Sequence, residues 1–334
     1  MLSSPPSVFK SPSSQGGFRG ISRGSCKIPP HPPLKKGGEN TSALFQSFIL
    51  VLSFWLLFAL AAASPAQACT LFAAAGSRVE GGGTLIVKNR DRSPRRSAIK
   101  FIAPAAGFKF LALVDAGSPN SSAVAGVNEK GLAVVDALPG NLPPQQEEYS
   151  EAVNLTGTLL SRCASVEEVL ACQDLFRASY PVIEMVADGR RVALIEIAPG
   201  GRVAVKASGQ GILCHTNHYL DHRLEGADLK PSTSSCVRYH RIGQLLSRQA
   251  CPFVLEDFLA FSQDRHDGPD NSICRRGSTP TETRTLATWI VAHPAAGVPR
   301  VWVKITNPGE QEKITDLRLN PAWWANALEE KIFR

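Results

Sequence analysis

The sequence predicts an α+β fold built on two antiparallel sheets with helices on their outer faces. Three observations carry this. Strand-like runs arrive in blocks, separated by short turn signals. Paired stretches of helical period alternate with those blocks, which suits antiparallel sheets covered by helices. The chain of 334 residues, 43% of them hydrophobic, is also long enough to bury a sizeable core.

In chain order, Thr70–Ser77 and Thr84–Asn89 read as two strands, and Glu80-Gly81-Gly82-Gly83 between them is turn material. Further strands are predicted at 109–115, 121–127 and 131–136, followed by helical periods at 150–161 and 165–176. Strands return at 182–187, 191–197, 202–207 and 211–215. Helices follow at 235–248 and 254–262; Ser234 or Ser235 is the expected cap of the first, with Ile242, Leu245 and Leu246 facing the core. Strands at 285–293 and 299–306 precede a closing helix, 321–332, for which Asn320-Pro321 supplies a cap and a first position. There is no internal repeat.

The formal charge of +7 does not mark a basic surface. Residues 1–68 hold six of the 36 basic residues (Lys10, Arg19, Arg23, Lys27, Lys35 and Lys36) and one of the 29 acidic ones, Glu39. From Cys69 onward 30 basic residues face 28 acidic ones, a net of +2. No basic patch interleaved with aromatics is present, so the sequence argues against a nucleic-acid partner.

Residues 1–43 are rich in Ser, Pro, Gly and Lys and lack a hydrophobic period. Such a segment buries too little apolar surface to offset its ordering entropy; it reads as disordered, or as upstream sequence included by an early start. Residues 44–68 read as a secretory signal peptide. Lys35 and Lys36 precede an apolar run from Phe48 to Ala63, broken only by Ser53, which ends in Ala66-Gln67-Ala68. The run is shorter than the roughly 20 apolar residues that span a bilayer comfortably, which sets the signal peptide against a retained anchor. The expected product is exported, periplasmic or extracellular, and meets the membrane only through that peptide. Residues 69–334 form the expected domain.

Cleavage after Ala68 leaves Cys69 as the first residue. One reading is a lipoprotein, with the cysteine acylated and the domain a lipid-anchored binding module. The residue three before the cysteine is Ala66 rather than Leu, and bulky Gln67 follows it. The other reading is chemical. A thiol attacks as its thiolate, with a free pKa near 8.5, whereas an α-amine titrates at roughly 7.7–8.0 and is partly unprotonated at neutral pH. On one residue, the amine takes the thiol proton without any histidine. The amine must be free, and cleavage frees it.

Cys69-Thr70-Leu71-Phe72, followed by Gly81 to Gly83 and Lys88-Asn89-Arg90-Asp91-Arg92, resembles the start of the linear-amide N-terminal-nucleophile hydrolases. These comprise the penicillin V acylases, the bile-salt hydrolases and the acyl-coenzyme A:6-aminopenicillanic acid acyltransferases. The resemblance implies a four-layer αββα sandwich, with Cys69 as nucleophile and a hairpin returning Lys88 and Asp91 beside it. Asp91 is expected to hold the α-ammonium, and Lys88 to support the site or bind substrate; the bile-salt hydrolase branch carries arginine at that position.

Further matches follow in order. Asn128-Glu129-Lys130-Gly131-Leu132 resembles a tight inter-strand turn of this superfamily. About ten residues on, Ala137-Leu138-Pro139 stands where the bile-salt branch carries a functional asparagine; Asn141 is out of register. Thr216-Asn217 resembles the motif whose asparagine donates to the tetrahedral oxyanion. Ser235-Cys236-Val237-Arg238 resembles a helix start whose arginine reaches the active site. His266-Asp267 with Ser272-Ile273-Cys274-Arg275 resembles a segment of the acyltransferase branch. The resemblance extends from Cys69 to about Gly309.

The histidines and the remaining cysteines admit other readings. His215, His218 and His222 with Cys214 have spacings that suit a metal on one helical face, but Ile212 to Cys214 reads as a strand end and no second ligand cluster follows. The six remaining cysteines of the exported chain allow disulfides or buried thiols, with Cys236–Cys251 and Cys163–Cys172 as candidate pairs. The expected reaction is hydrolysis of a small-molecule N-acyl amide through an acyl-enzyme on Cys69. Asn217 stabilises the oxyanion, Asp91 orients the terminus and Arg238 organises the pocket; no metal or cofactor is needed. If an amine displaces water, the same site is an acyltransferase.

Overall fold

A computed structural model describes residues 68–116, 122–142, 154–249 and 252–327. The readings of 1–43 and of the signal peptide up to Gln67 lie outside the described residues. So does Cys251, and with it the candidate pair to Cys236.

Thirteen described strands form two antiparallel sheets. The six-stranded sheet has the order β10-β1-β2-β11-β12-β13: Gly211–His215, Ala68–Ala75, Gly83–Arg92, Arg284–Pro294, Arg300–Ile305 and Lys313–Arg318. The seven-stranded sheet runs from β3 to β9 in sequence order: Ser97–Ile102, Phe110–Asp115, Ala123–Asn128, Ala133–Ala137, Val182–Ala187, Val192–Ala198 and Arg202–Ser208. One apolar cluster, with Leu71, Ile86, Leu111, Met185, Trp289 and Val303, fills the space between the sheets. A second packs α4 (Thr233–Arg248) and α5 (Leu255–Ser262) on the six-stranded sheet through Phe72, Val87, Ile242 and Phe258. A third packs α1 (Leu155–Arg162), α2 (Val166–Ala171) and α3 (Gln173–Arg177) on the seven-stranded sheet through Phe110, Val134, Leu159 and Phe176. Helices, sheet, sheet and helices give the expected four-layer αββα sandwich. Each fully buried Leu, Ile or Phe in these clusters contributes about 1.5–3 kcal/mol of burial.

The first hairpin forms as the sequence predicts. Gly81, Gly82 and Gly83 have φ of 69°, 77° and 91°, a left-handed run that side chains with a Cβ resist, and this turns β1 back into β2. Gly131 (φ 89°) closes the turn between β5 and β6. An added Cβ there would lie 2.5 Å from Nε2 of His293, which reaches in from β11.

Several elements depart from expectation. β3 and β13 were not anticipated. Both are sheet edges, and β13 alternates Lys313, Thr315 and Leu317 with Ile314, Asp316 and Arg318 in a largely exposed setting, so the core imposes little apolar period on it. The helical period at 165–176 is broken at Cys172 into α2 and α3. The helix from 233 is capped by Ser232, whose side chain accepts from the Ser235 N–H; Ser234 and Ser235, the expected caps, are used elsewhere. The short α6 (Gly268–Asn271) was also missed. The closing helix α7 spans Pro321–Asn326 with Asn320 capping it as expected; the rest of its predicted length lies outside the described residues.

Candidate functional site

Four consecutive polar residues, Lys88, Asn89, Arg90 and Asp91, are buried in the central strand β2. Burying them requires partners. Those partners build the site.

Cys69 lies at the open start of β1, 6% exposed, with its side chain on the inter-sheet face beside Leu71 and Ala73. Across the ladder it faces Arg90, while Ala68 faces Asp91. On the other side, β10 pairs with β1 only from Leu71↔His215 onward. Two steps further along that register, residue 217 comes opposite residue 69. The backbone ladder has ended there, and a side chain takes its place: Oδ1 of Asn217 accepts the Cys69 N–H at 2.8 Å.

Arg238, from α4, closes the arrangement. Nη2 donates to the same Asn217 oxygen at 2.9 Å, and Nη1 donates to the Cys69 carbonyl and to Oγ1 of Thr70 (2.9 Å). The guanidinium is fully buried. Burial pushes its pKa down to about 10, opposed by the Asp91 carboxylate, so it remains a cation at neutral pH. Asn217 thus presents its oxygen, not its nitrogen, to Cys69. Its Nδ2 donates to the Leu138 carbonyl at 2.8 Å, which leaves its second N–H uncommitted.

Asp91 lies opposite Ala68, beside Cys69, as the hairpin predicts, but its carboxylate touches Thr285 (Oγ1 to Oδ1, 2.7 Å) rather than Cys69. Oδ2 has no hydrogen-bond partner among the described residues. Burial pushes the carboxyl up to about 6, against the pull of Arg238 and Arg275.

Lys88 is neither solvated nor free. Its side chain crosses the inter-sheet core to the point where the β5–β6 ladder stops at Ala125↔Val135. There Nζ donates to the carbonyls of Val124 (2.9 Å) and Asp136 (2.7 Å) and forms an ion pair with the Asp136 carboxylate. Three N–H groups meet three acceptors, so Lys88 has no donor left for a ligand in this arrangement. On the far side of that sheet, Asp136 lies opposite Glu184. The Glu184 pKa is raised well above the usual range by burial and by Asp136.

The histidine cluster is dispersed. Nε2 of His215 lies 3.0 Å from Glu196 and Nδ1 3.0 Å from the Thr216 carbonyl, while the His222 side chain is 89% exposed. His218 contacts the Ser235 hydroxyl, and burial pushes its pKa down to about 4. No group of three or more metal-ligating side chains occurs among the described residues. Cys163 and Cys172 are free thiols with sulfurs 3.7 Å apart.

Sequence reasoning missed four contributors. Arg90 faces Cys69 across the ladder and is held by Asp115 (2.8 Å) and Ser97 (3.0 Å); strand alternation from Lys88 signals it. Ser235 accepts the Asn217 N–H at 2.9 Å. Thr285 links Asp91 to the Arg275 backbone N–H (2.9 Å). Arg275 itself is 8% exposed, and its Nε has no partner among the described residues. Its segment carries a motif legible in the sequence, but nothing in that motif signals where the Arg275 side chain lies. The concavities at the other end of the sandwich, including one of about 450 Å³ beside His293 and Trp324, are lined by none of the residues around Cys69.

Residues 78–308 match the family model described as acyl-coenzyme A:6-aminopenicillanic acid acyl-transferase, a match that begins after Cys69. No curated protein matches the chain. Among solved structures, a conjugated bile acid hydrolase from Clostridium perfringens aligns at TM-score 0.50 and 14% identity, over 75% of this chain and 92% of that one. Penicillin V acylase from Agrobacterium tumefaciens aligns at 0.49 and 13%, over 76% and 89%. An N-acylethanolamine-hydrolyzing acid amidase ortholog from Caenorhabditis elegans aligns at 0.48 and 11%, over 68% and 94%.

Proposed function

The chain belongs to the acyl-coenzyme A:6-aminopenicillanic acid acyl-transferase family of N-terminal-nucleophile hydrolases, and from that premise we propose that its mature form begins at Cys69 and hydrolyses the linear amide bond of an N-acylated small molecule. The observation that carries this reading is the convergence of Asn217 and Arg238 on the nitrogen and carbonyl of Cys69. The buried amide oxygen of Asn217 holds the Cys69 nitrogen, and the buried guanidinium of Arg238 fixes both that oxygen and the Cys69 carbonyl, an arrangement suited to a nitrogen that takes part in chemistry.

With residues up to Ala68 removed, the nitrogen becomes an α-amine that Asn217 Oδ1 orients. The amine takes the thiol proton, and sulfur attacks the substrate carbonyl to give a tetrahedral oxyanion. The uncommitted N–H of Asn217 is the candidate donor to that oxyanion; one such donor is worth about 3–4 kcal/mol of barrier. Collapse breaks the C–N bond, the ammonium protonates the leaving amine, and water then releases the acid from the thioester. The unpartnered Oδ2 of Asp91 is suited to the ammonium, because Ala68 is its ladder partner and cleavage leaves the new terminus one residue away.

The residue pattern before Cys69 supports export to the periplasm or beyond. The family's own name favours one second reading: an amine in place of water accepts the acyl group from the same thioester. Intact mass and hydrolysis of a panel of N-acyl compounds test the proposal. A Cys69 start with activity lost in Cys69→Ala supports it, and competition by added amines separates transferase from hydrolase. Normal amide cleavage by a chain that retains Ala68, or that carries a diacylglyceryl group on Cys69, overturns it.

A further inference from the structure

We infer that Glu196 is a positioning residue for this reaction, acting through the segment that carries Asn217; the inference rests on the role proposed for Asn217. Asn217 lies just beyond the end of β10, on a segment without regular structure between His215 and the short helical turn at His222–Leu224. Such a segment drifts unless it is tied, and a drift of an ångström at a catalytic group costs on the order of 10²-fold in rate. Two anchors tie it. On the α4 side, Ser235 accepts the Asn217 N–H and contacts Thr216 Oγ1 (2.9 Å) and His218 Nδ1 (2.8 Å). On the other side stands Glu196, which belongs to β8 in the opposite sheet and is 4% exposed.

Three donors of the segment converge on the Glu196 carboxylate. They are Nε2 of His215 at 3.0 Å, the Leu220 N–H at 2.6 Å and the Asp221 N–H at 3.2 Å. These donors bracket Asn217, two residues before it and three and four residues after. A carboxylate suits the task because both oxygens only accept, and hydrogen bonds to an ionised acceptor are about twice as strong as neutral ones. Glu196 therefore fixes both ends of the Asn217 segment to the sheet opposite β10, while β1 and α4 hold Cys69 and Arg238. The distance from Asn217 to Cys69 depends on all three.

Glutamine is nearly isosteric but accepts on one side only, so Glu196→Gln turns its amide donor towards the N–H of Asp221 or towards the other pair. A double-mutant cycle with Asn217→Ala separates positioning from general support. The readouts are acyl-enzyme formation from a chromogenic N-acyl anilide by mature enzyme, KM and Tm. Expected in the wild-type background is a kcat about tenfold lower, with KM within twofold and Tm within a few degrees. Expected in the Asn217→Ala background is a change of less than twofold. An equal loss in both backgrounds, or no loss in either, overturns the positioning role. If Asn217→Ala alone leaves kcat intact, the role given to Asn217 under the proposed function is what fails, and this inference falls with it. Where Glu196→Gln does not fold, Glu196→Asp serves; it keeps the charge but withdraws it by one methylene, and the same criterion applies.

Discussion

The side-chain oxygen of Asn217 lies 2.8 Å from the nitrogen of Cys69, 148 residues earlier in the chain, at the place where a strand partner would otherwise stand. A ladder bond would consume that nitrogen permanently. A side-chain acceptor holds it in place and, under the proposed cleavage after Ala68, leaves its chemistry open. Asn217→Ala is expected to lower kcat by about 10²–10³-fold with a smaller change in KM, measured on mature protein. Asn217→Asp keeps the acceptor but loses the N–H; if orientation of the amine were the whole role, it would restore activity.

Arg238 is a buried cation tied to Cys69, Thr70 and Asn217. Arg238→Met strands those acceptors without a donor. The expected loss is about 1–3 kcal/mol of stability, the cost of a buried polar group left without its partner, read from chemical denaturation. Arg238→Lys is expected to fold, yet to lose most activity, because one ammonium cannot reproduce the fork.

Removing the Lys88 charge leaves the Asp136 carboxylate buried opposite Glu184. Lys88→Met should therefore destabilise the fold by about 3–5 kcal/mol, and adding Asp136→Asn should recover part of that. Equal stability of the single and double variants would show that the ion pair is not what holds this region.

Asp91 gives a prediction in pH. In the chain that still carries Ala68, its carboxyl is raised from 3.8 to about 6. The folded state therefore binds the proton more tightly than the unfolded state. The resulting stabilisation is complete below about pH 4 and lost as pH rises through 6, and about 3 kcal/mol is its ceiling. Asp91→Asn should leave Tm unchanged near pH 4 and raise it by several degrees at pH 7.5 in the uncleaved form. In the mature form, where an ammonium is available to Oδ2, the same substitution should bring no such gain and should cost activity.

Cys163 and Cys172 are free, with sulfurs 3.7 Å apart, within a side-chain rotation of bonding. Burial and the neighbouring thiol push Cys163 up to about 12, so the more exposed Cys172 is the sulfur that attacks a small-molecule disulfide first. Protein recovered from an oxidising compartment should be two hydrogens lighter and about 2–3 kcal/mol more stable than reduced protein. Unblocked thiols at both positions in exported material would contradict this.

Much of this hairpin is legible in the sequence. Two strand-like runs joined by a glycine turn, the second ending in charged residues, place Cys69, Lys88 and Asp91 on one hairpin by local rules alone. Asn217 and Arg238 were legible through their motifs, because no local rule brings residues 21 apart, on a strand end and a helix, to one oxygen. The direction of each side chain was not legible. Asn217 turns its oxygen inward because Leu138 takes its nitrogen, and Lys88 reaches away from Cys69 because two strands part to receive it. Both outcomes depend on partners remote in sequence. β13 was invisible for the opposite reason: it lies at an edge where few partners constrain its residues.

Sheets stacked only through aliphatic side chains can slip past one another and settle in several offsets. Here the Lys88 ammonium acts as a dowel, rooted in β2 and seated between β5 and β6, and the Arg90–Asp115 and His215–Glu196 contacts pin the same two sheets at other points. A dowel fixes offset and angle together while contributing little apolar contact.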